Sequence, residues 1–560
     1  MQQGPISAPP DFPVVWENPE DEQLFWTRDA MHSPNQLSEL EAELAIGIAH
    51  SYGFTSASEA YGLPVRLQPR LINTYYYMAA APTMAPPEEM AAMEERAREK
   101  VGAAMARLGE MWSTEFLPEI QRYLKDWDGF DLRGASMPQL LAHLDETVAR
   151  HKRLWEIHFI LAIPMLMSVS TFEEFYRELF GSEGAFDALR LLQGLDNKTV
   201  ETGRELWRLS RKAREMPEVR KVLEKSAAAD VVGALERSAE GREFLVQLDE
   251  YLEEYGQRGD MWGVGYPTWA ENPTTVIKML KDYLTQEGGG PEEEQASLAA
   301  ERERLLAETR ERLATYPQAV RDEFEFLLKA AEEGVVLSED HGFWIDFRST
   351  ARVRRVIMEF GRRFAEAGVI ERPEDTFHLN LAEIRETAKR FPDLVRKDVV
   401  ARRKDELERF GKVQVPPALG TPPPGPPPDN PFNRALGKFF GGPPQPPEES
   451  GVLRGNPGSP GVVRGRARVL RALSEGDGLQ EGDILVAETT APPWTPLFAT
   501  AAAVVTDTGG ILSHCAVVAR EYRIPAVVGT GAATATIRSG QIIEVDGDAG
   551  VVKILSEDGS

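Results

Sequence analysis

Residues 506–529 read TDTGGILSHCAVVAREYRIPAVVG. Val504 and Val505 end an apolar run just before this stretch, Gly509 and Gly510 make a turn, and a helix is expected to start at Ser513 or His514. A second short apolar run, PAVVG, follows. Glycine at both turn positions admits positive φ and lets a ligand approach bare backbone. The helix start adds N–H groups without intrahelical acceptors and a partial positive charge. Together these features form an anion site, suited to a phosphate carried by the residue standing there. His514 stands there, and a largely uncharged imidazole is a nucleophile at neutral pH. Ser513 either caps the helix or hydrogen-bonds the phosphate. Taken alone, the string serves equally well for a helix-start histidine with a structural hydrogen bond.

Outward from this segment, residues 451–560 alternate short apolar runs (GVVRGRARVL, GDILVAE, AAAVVTD, QIIEVDG, GVVKIL) with Gly, Asp and Pro. The pattern predicts a compact α/β domain of independently folding size. Residues 411–450 are dense in Pro and Gly and are expected to exclude helix and sheet. Thirty residues of polyproline-like chain would reach about 90 Å, enough to let the following domain travel. From about residue 87 to 410, apolar residues recur at three- and four-residue spacing, with Glu and Arg four apart on the opposite face. These features predict an α-rich domain over 1–410. Within it, the segment 64–82, PVRLQPRLINTYYYMAAAP, is a small β element. Asn18-Pro19 followed by Glu20 and Asp21 reads as an N-capped helix start. The fold class is therefore multidomain, a large α-rich N-terminal domain followed by a C-terminal α/β domain.

Composition narrows the partners. The 560 residues carry a net charge of −26, with a pI near 4.9, which repels nucleic acid and anionic membrane surfaces. No run of 18 apolar residues occurs, and the N-terminus lacks a basic stretch followed by an apolar one. A single cysteine, Cys515, excludes an intrachain disulfide. The expectation is a cytoplasmic chain with no nucleic-acid or membrane partner.

The whole segment around His514 resembles the phosphohistidine signature of the PEP-utilising enzyme mobile domain, found in pyruvate phosphate dikinase, PEP synthase and rifampin phosphotransferase. The matching residues are Gly509-Gly510, Ser513-His514, Ala516 to Glu521 and Ile524 to Gly529. The resemblance continues upstream through GSPGVVRGRARV and GDILVAETTAPPWTPLF, and downstream through GQIIEVDGDAGVVKIL. It implies a swivelling domain in which His514 is phosphorylated and Gly509, Gly510 and Ser513 line the phosphate. Leu512, where dikinases of the pyruvate group carry Thr, looks more like the rifampin branch. Cys515 stands in place of the usual Ala and reads as a small packing residue.

A weaker similarity to the rifampin phosphotransferases runs in order through residues 14–410: WENPED…WTRDAMHSP, INTYYY, EYGQRGD…GYPTWAENPTTVIKML and GRRFAEAGVIERPEDTFHLNLAEI. There the matching region binds the acceptor substrate. No strand–glycine–lysine phosphate site of the ATP-grasp kind is read in residues 1–410. Mg2+-ATP is therefore expected on a separate ATP-grasp subunit, as in phenylphosphate synthase, with no cofactor or metal held by this chain. His514 would pass its phosphoryl group to a hydroxyl of a small organic acceptor. Candidate acceptor-site residues are Arg258 in EYGQRGD, which could neutralise phosphoryl charge, and His341, placed with Asp340 at a turn before a helix, as a base. Arg352 and Arg355 on that following helix, and His32 in RDAMHSP, complete the set. The rival reading is a non-catalytic phosphohistidine relay or sensor that binds a protein. A chain that binds ATP itself is the third.

Overall fold

The computed structural model describes residues 4–16, 18–82, 85–181, 186–286, 288–425, 427–442 and 451–555. The chain divides into two compact units. The first comprises Met1–Pro164, Trp262–Gly265 and Trp344–Pro428; the second comprises Met165–Met261, Tyr266–Phe343 and Asp429–Ser560. This division differs from the expected 1–410, 411–450 and 451–560, because helices that are distant in sequence pack together and the chain crosses between units several times.

In the first unit, strands β1 (Phe25–Arg28), β2 (Val65–Ile72), β3 (Tyr75–Pro82) and β4 (Ala418–Gly420) form a sheet in the order β2-β3-β1-β4. All its pairings are antiparallel. The β element expected near 64–82 is the β2–β3 hairpin, which turns through Asn73 and Thr74, both at positive φ. Phe12, Trp26, Tyr75, Tyr77, Phe410 and Leu419 pack as one cluster over this sheet. The expected helix at Asn18-Pro19 is a short 3-10 turn, Pro19–Gln23, and Asn18 makes no side-chain cap. The loop Trp262–Gly265 is held by Glu41, whose Oε1 accepts from Gly265 N at 3.0 Å, and by Arg354, which donates to Val264 O at 2.8 Å.

The second unit joins a helical part to an eight-stranded sheet. The helical core includes Leu206, Trp207, Phe244, Tyr251, Trp269, Ile277 and Tyr283. The sheet comprises β5 (Val452–Arg454), β6 (Asn456–Ser459), β7 (Val462–Leu470), β8 (Ile484–Ala487), β9 (Ala503–Thr506), β10 (Ala526–Val528), β11 (Ile542–Asp546) and β12 (Val551–Ile554). Its order is β5-β12-β11-β7-β8-β9-β10-β6. The central pairs β7–β8, β8–β9 and β9–β10 are parallel, whereas the flanking pairs are antiparallel. Period-two alternation sorts the central strands onto two faces. Leu485, Val504 and Val528 face the helix His514–Glu521 with Trp494 and Phe498. Ile484, Val486, Val505 and Val527 pack on Ala533, Ile537 and Ile543.

Two expectations about local structure are corrected. Residues 411–450 do hold secondary structure: β4, and a helix at Pro431–Phe440. Asn430 caps that helix by accepting from Asn433 N at 2.9 Å. Pro431 sits in its first turn, where a missing N–H costs nothing, and Gly441 ends it at φ 85. Composition alone hid a short helix bracketed by its own start and stop residues; the segment 443–450 lies outside the described residues. Asp340 and His341 do not sit at a turn before a helix but in the last turn of the helix Gln318–His341, and no turn follows, because Gly342 keeps right-handed helical backbone at φ −59, ψ −45 and the chain runs on into the helical turns Gly342–Ser349.

The helix Met137–Phe180 is long and apolar enough by composition to cross a membrane, and 56% of its most apolar window is buried inside the protein. That burial is what the core helix of a soluble protein shows as well.

Candidate active site

The sheet places His514. Strand β9 runs out at Thr506, the chain turns through Gly509 at φ 103, and the helix His514–Glu521 leads back to β10, parallel to β9 with Ala526 beside Val504. The site thus lies at the carboxyl ends of parallel strands, where open α/β sheets bind ligands. Arg520 locks this crossover from within, its buried guanidinium donating to Gly458 O at 2.7 Å and Ile511 O at 2.9 Å.

His514 opens the helix, directly after Ser513 at the N-cap position. Its two ring nitrogens meet hydroxyls on opposite sides. Thr490 Oγ1 lies 3.3 Å from Nδ1, and Thr495 Oγ1 lies 3.4 Å from Nε2. The Phe498 ring stands edge-on to the imidazole at 6.4 Å. Burial, reinforced by the Arg258 charge, pushes the imidazole down to about 3, so it is neutral with a lone pair available. Ser513 Oγ is buried and has no hydrogen-bond partner, and it does not cap the helix. A phosphate on His514 would meet this hydroxyl and the N–H groups of the first helical turn.

Arg258 is the sequence-derived acceptor-site residue that the fold brings to His514. It is buried, with Nη2 at 3.4 Å from Thr202 Oγ1. Its guanidinium lies 5.6 Å from the Trp269 ring and 5.5 Å from the Phe343 ring. Burial lowers its pKa, partly offset by the charge of Glu339. Arg258 and Trp269 line a cavity of about 430 Å³ with Thr199, Thr202, Thr495 and Glu339. Thr199 donates to Glu339 at 2.6 Å. The wall contributed by the carrier helix includes Val517, Val518 and Glu521. Burial holds the Glu521 carboxyl up at about 7.

The glycine turn has a role other than the one expected. Gly510 N donates to Phe439 O at 2.9 Å and Leu512 N to Lys438 O at 2.8 Å. A Cβ on Gly510 would lie 2.2 Å from Lys438 O. Gly510 is therefore needed for close approach of the helix Pro431–Phe440, and its N–H is committed there instead of to phosphate. Lys438 in turn binds Glu173 at 2.6 Å and Glu174 at 2.9 Å, and Arg434 binds Glu174 at 3.1 Å. The helix Pro431–Phe440 is thus anchored on both sides, to the turn before His514 and to Glu173 and Glu174.

The remaining candidates fall elsewhere. His341 is buried, with Nδ1 2.6 Å from Leu337 O in its own helix. Arg352 and Arg355 belong to the first unit, where both bind the Asp128 carboxylate at 3.0 and 2.9 Å. His32 also belongs to the first unit and pairs with Asp29 at 2.8 Å. Thr490, Thr495, Phe498 and Glu339 were not singled out by sequence reasoning. The two threonines sit 24 and 19 residues before His514, inside TTAPPWTPLF, and no spacing rule links them to it. Cys515 is inert packing, its buried thiol pushed up to about 12.

Residues 158–339 match the family described as the rifampicin phosphotransferase fourth domain. Residues 479–550 match the PEP-utilising enzyme mobile domain. The chain is 42% identical to part of a chondramide synthase, cmdD, of Chondromyces crocatus, over 98% of this chain and 14% of that protein. It is 31% identical to the Bacillus subtilis phosphotransferase YvkC, over 72% of this chain and 47% of that one. It is 30% identical to a rifampicin phosphotransferase of Streptomyces sviceus, over 75% of this chain and 47% of that one. The chain thus spans about half the length of these two phosphotransferases and a smaller part of the synthase.

Proposed function

Because this chain belongs to the rifampicin phosphotransferase-like proteins that carry a PEP-utilising mobile domain, we propose that it is a phosphotransferase component whose His514 carries the phosphoryl group. The donor is Mg2+-ATP bound by an ATP-grasp subunit in trans. A ring nitrogen of His514 attacks phosphorus, by family analogy the β-phosphoryl, and the P–O bond to the leaving group breaks. With one water consumed, AMP, inorganic phosphate and phosphohistidine result. A hydroxyl of a small organic acceptor then attacks the carried phosphorus, its proton leaves to solvent or a base, and the N–P bond breaks. The product is a phosphate ester, formed in the cytoplasm.

The observation that supports this most directly is a neutral imidazole at a helix start with a buried guanidinium, Arg258, within electrostatic reach. Before transfer, Arg258 disfavours protonation of the nucleophile. After transfer it faces a dianion, so the same charge favours the phosphorylated state. The unpartnered Ser513 Oγ and the N–H groups of the helix start are further donors available to a phosphate there. Glu339 keeps Arg258 from being an uncompensated buried charge. Catalysis of this kind is mostly positioning and charge neutralisation.

The test mixes the full chain with an ATP-grasp protein and Mg2+-ATP, followed by intact-mass spectrometry and AMP measurement. Wild type acquires one acid-labile phosphoryl group and His514→Ala acquires none. Incorporation into the alanine variant at the wild-type level overturns the assignment. AMP production by the chain alone would overturn the partner subunit. Phosphohistidine that no hydroxyl compound discharges would favour the relay reading.

A further inference from the structure

We propose that Asp29, His32 and His50 in the first unit bind a divalent first-row transition-metal ion. Asp29 and His32 follow strand β1, and His50 lies in the helical turns Ala42–Gly53. One ligand atom from each lies within 4.8 Å of the others. Metal bonds of about 2.0–2.2 Å at tetrahedral to right angles place ligand atoms about 3–3.5 Å apart, so a shift of roughly 1 Å closes the set. Asp29 and His32 are already neighbours, with Oδ2 2.8 Å from Nδ1 in a hydrogen bond that an ion would replace. Asp29 Oδ1 also accepts from His32 N at 3.1 Å, which fixes the carboxylate.

The independent pointer is His50. It is 7% exposed, and its Nδ1 is sealed from solvent with no hydrogen-bond partner. A buried polar nitrogen without a partner is uncommon in folded proteins, and a metal ion is the partner that a neutral imidazole facing another imidazole and a carboxylate would take. Further polar atoms near it are equally unsatisfied. Tyr76 stacks on His50 at 5.2 Å, and Trp262 and Trp155 lie 5.7 and 6.4 Å from it. Tyr76 Oη and the Nε1 atoms of Trp155 and Trp262 are all buried without partners. A water or other oxygen ligand on a fourth metal position would supply an acceptor to groups of this kind. The donor set of two imidazoles and one carboxylate suits zinc or ferrous iron. Mg2+, which prefers six oxygens, is a poor fit.

The site is independent of phosphoryl transfer, so it is tested without activity. Full-length protein is stripped with a chelator, then loaded with Zn2+ or Co2+, passed through a desalting column and assayed for metal content and visible Co2+ absorption. The expected result is about one equivalent per chain, with a Co2+ spectrum showing mixed nitrogen and oxygen ligation. Asp29→Asn, which preserves side-chain shape, and His50→Ala are each expected to lose at least about tenfold in affinity, while His514→Ala retains the ion. Circular dichroism checks folding, and if His50→Ala does not fold, Asp29→Asn decides. Less than about a tenth of an equivalent on folded wild type, or wild-type affinity in Asp29→Asn, overturns the site. Displacement by millimolar Mg2+ overturns the metal class.

Discussion

His514 in the second unit and His32 in the first are half-buried and His50 is buried, yet their surroundings prepare opposite chemistry. His514 has hydroxyls at both nitrogens and a guanidinium as its nearest charge. His32 shares a short contact with a carboxylate, which raises its pKa against the penalty of burial. A cationic neighbour keeps an imidazole neutral and rewards the arrival of negative charge. A carboxylate neighbour favours protonation or a metal, and repels phosphate. Desolvation holds both His514 and His50 neutral, and the charge beside each, a guanidinium or a carboxylate, separates the two settings.

Replacing the carrier gives the largest effect: His514→Ala should lower phosphoryl incorporation from ATP below detection by mass spectrometry, whereas loss of any first-unit histidine should leave incorporation measurable. Arg258→Ala removes the cation that distinguishes the two environments. Acceptor phosphorylation should then fall by roughly 10²–10³, the usual scale for deleting one charge-stabilising donor, with partial recovery in Arg258→Lys; an unchanged rate would break the comparison. Thr495→Asp imports the first unit's carboxylate beside Nε2. Like-charge repulsion should slow phosphohistidine formation by roughly ten- to a hundredfold, and the rate should acquire an acid limb as His514 begins to protonate near neutrality.

The smallest effect is a flat profile. His514 is pushed down to about 3 from the usual 6.5. Its proton is therefore bound more tightly in the unfolded chain, and the fold loses stability as pH falls from 6.5 towards 3. The folded imidazole stays neutral well above about 3, so wild-type phosphohistidine formation should show no acid limb assignable to His514 between pH 8 and 5. A limb near 6.5 in stopped-flow data would place His514 in an ordinary, solvated environment.

The carrier domain was the more legible part because its signals are local. A β9 strand, a glycine turn, Ser513-His514 and an amphipathic helix lie within some two dozen residues, and short-range hydrogen bonding realises them as written. The helix Pro431–Phe440 was missed although its own Asn430, Pro431 and Gly441 mark both ends, because the surrounding prolines dominated the composition. Gly510 was read as a phosphate cradle, yet its bare backbone meets Lys438, a partner that no local rule could name. His341 and Arg352 make contacts that local sequence does not show. A helix-end histidine bonded to Leu337 and an arginine bonded to Asp128 look the same in sequence as free catalytic groups.

What the sequence determined by itself was the α-rich and α/β classes, the helix that starts at His514 and the acidic net charge, all set by residue type and short-range pattern. The tertiary structure alone decided that Arg258 comes within electrostatic reach of His514, that two threonines flank its nitrogens, and that His50 joins Asp29 and His32. Asp29 and His32 apart, these groups lie from about twenty to more than two hundred residues from one another, and the free energy that joins them comes from burying helices and strands against one another, a sum over the whole chain that no single stretch displays.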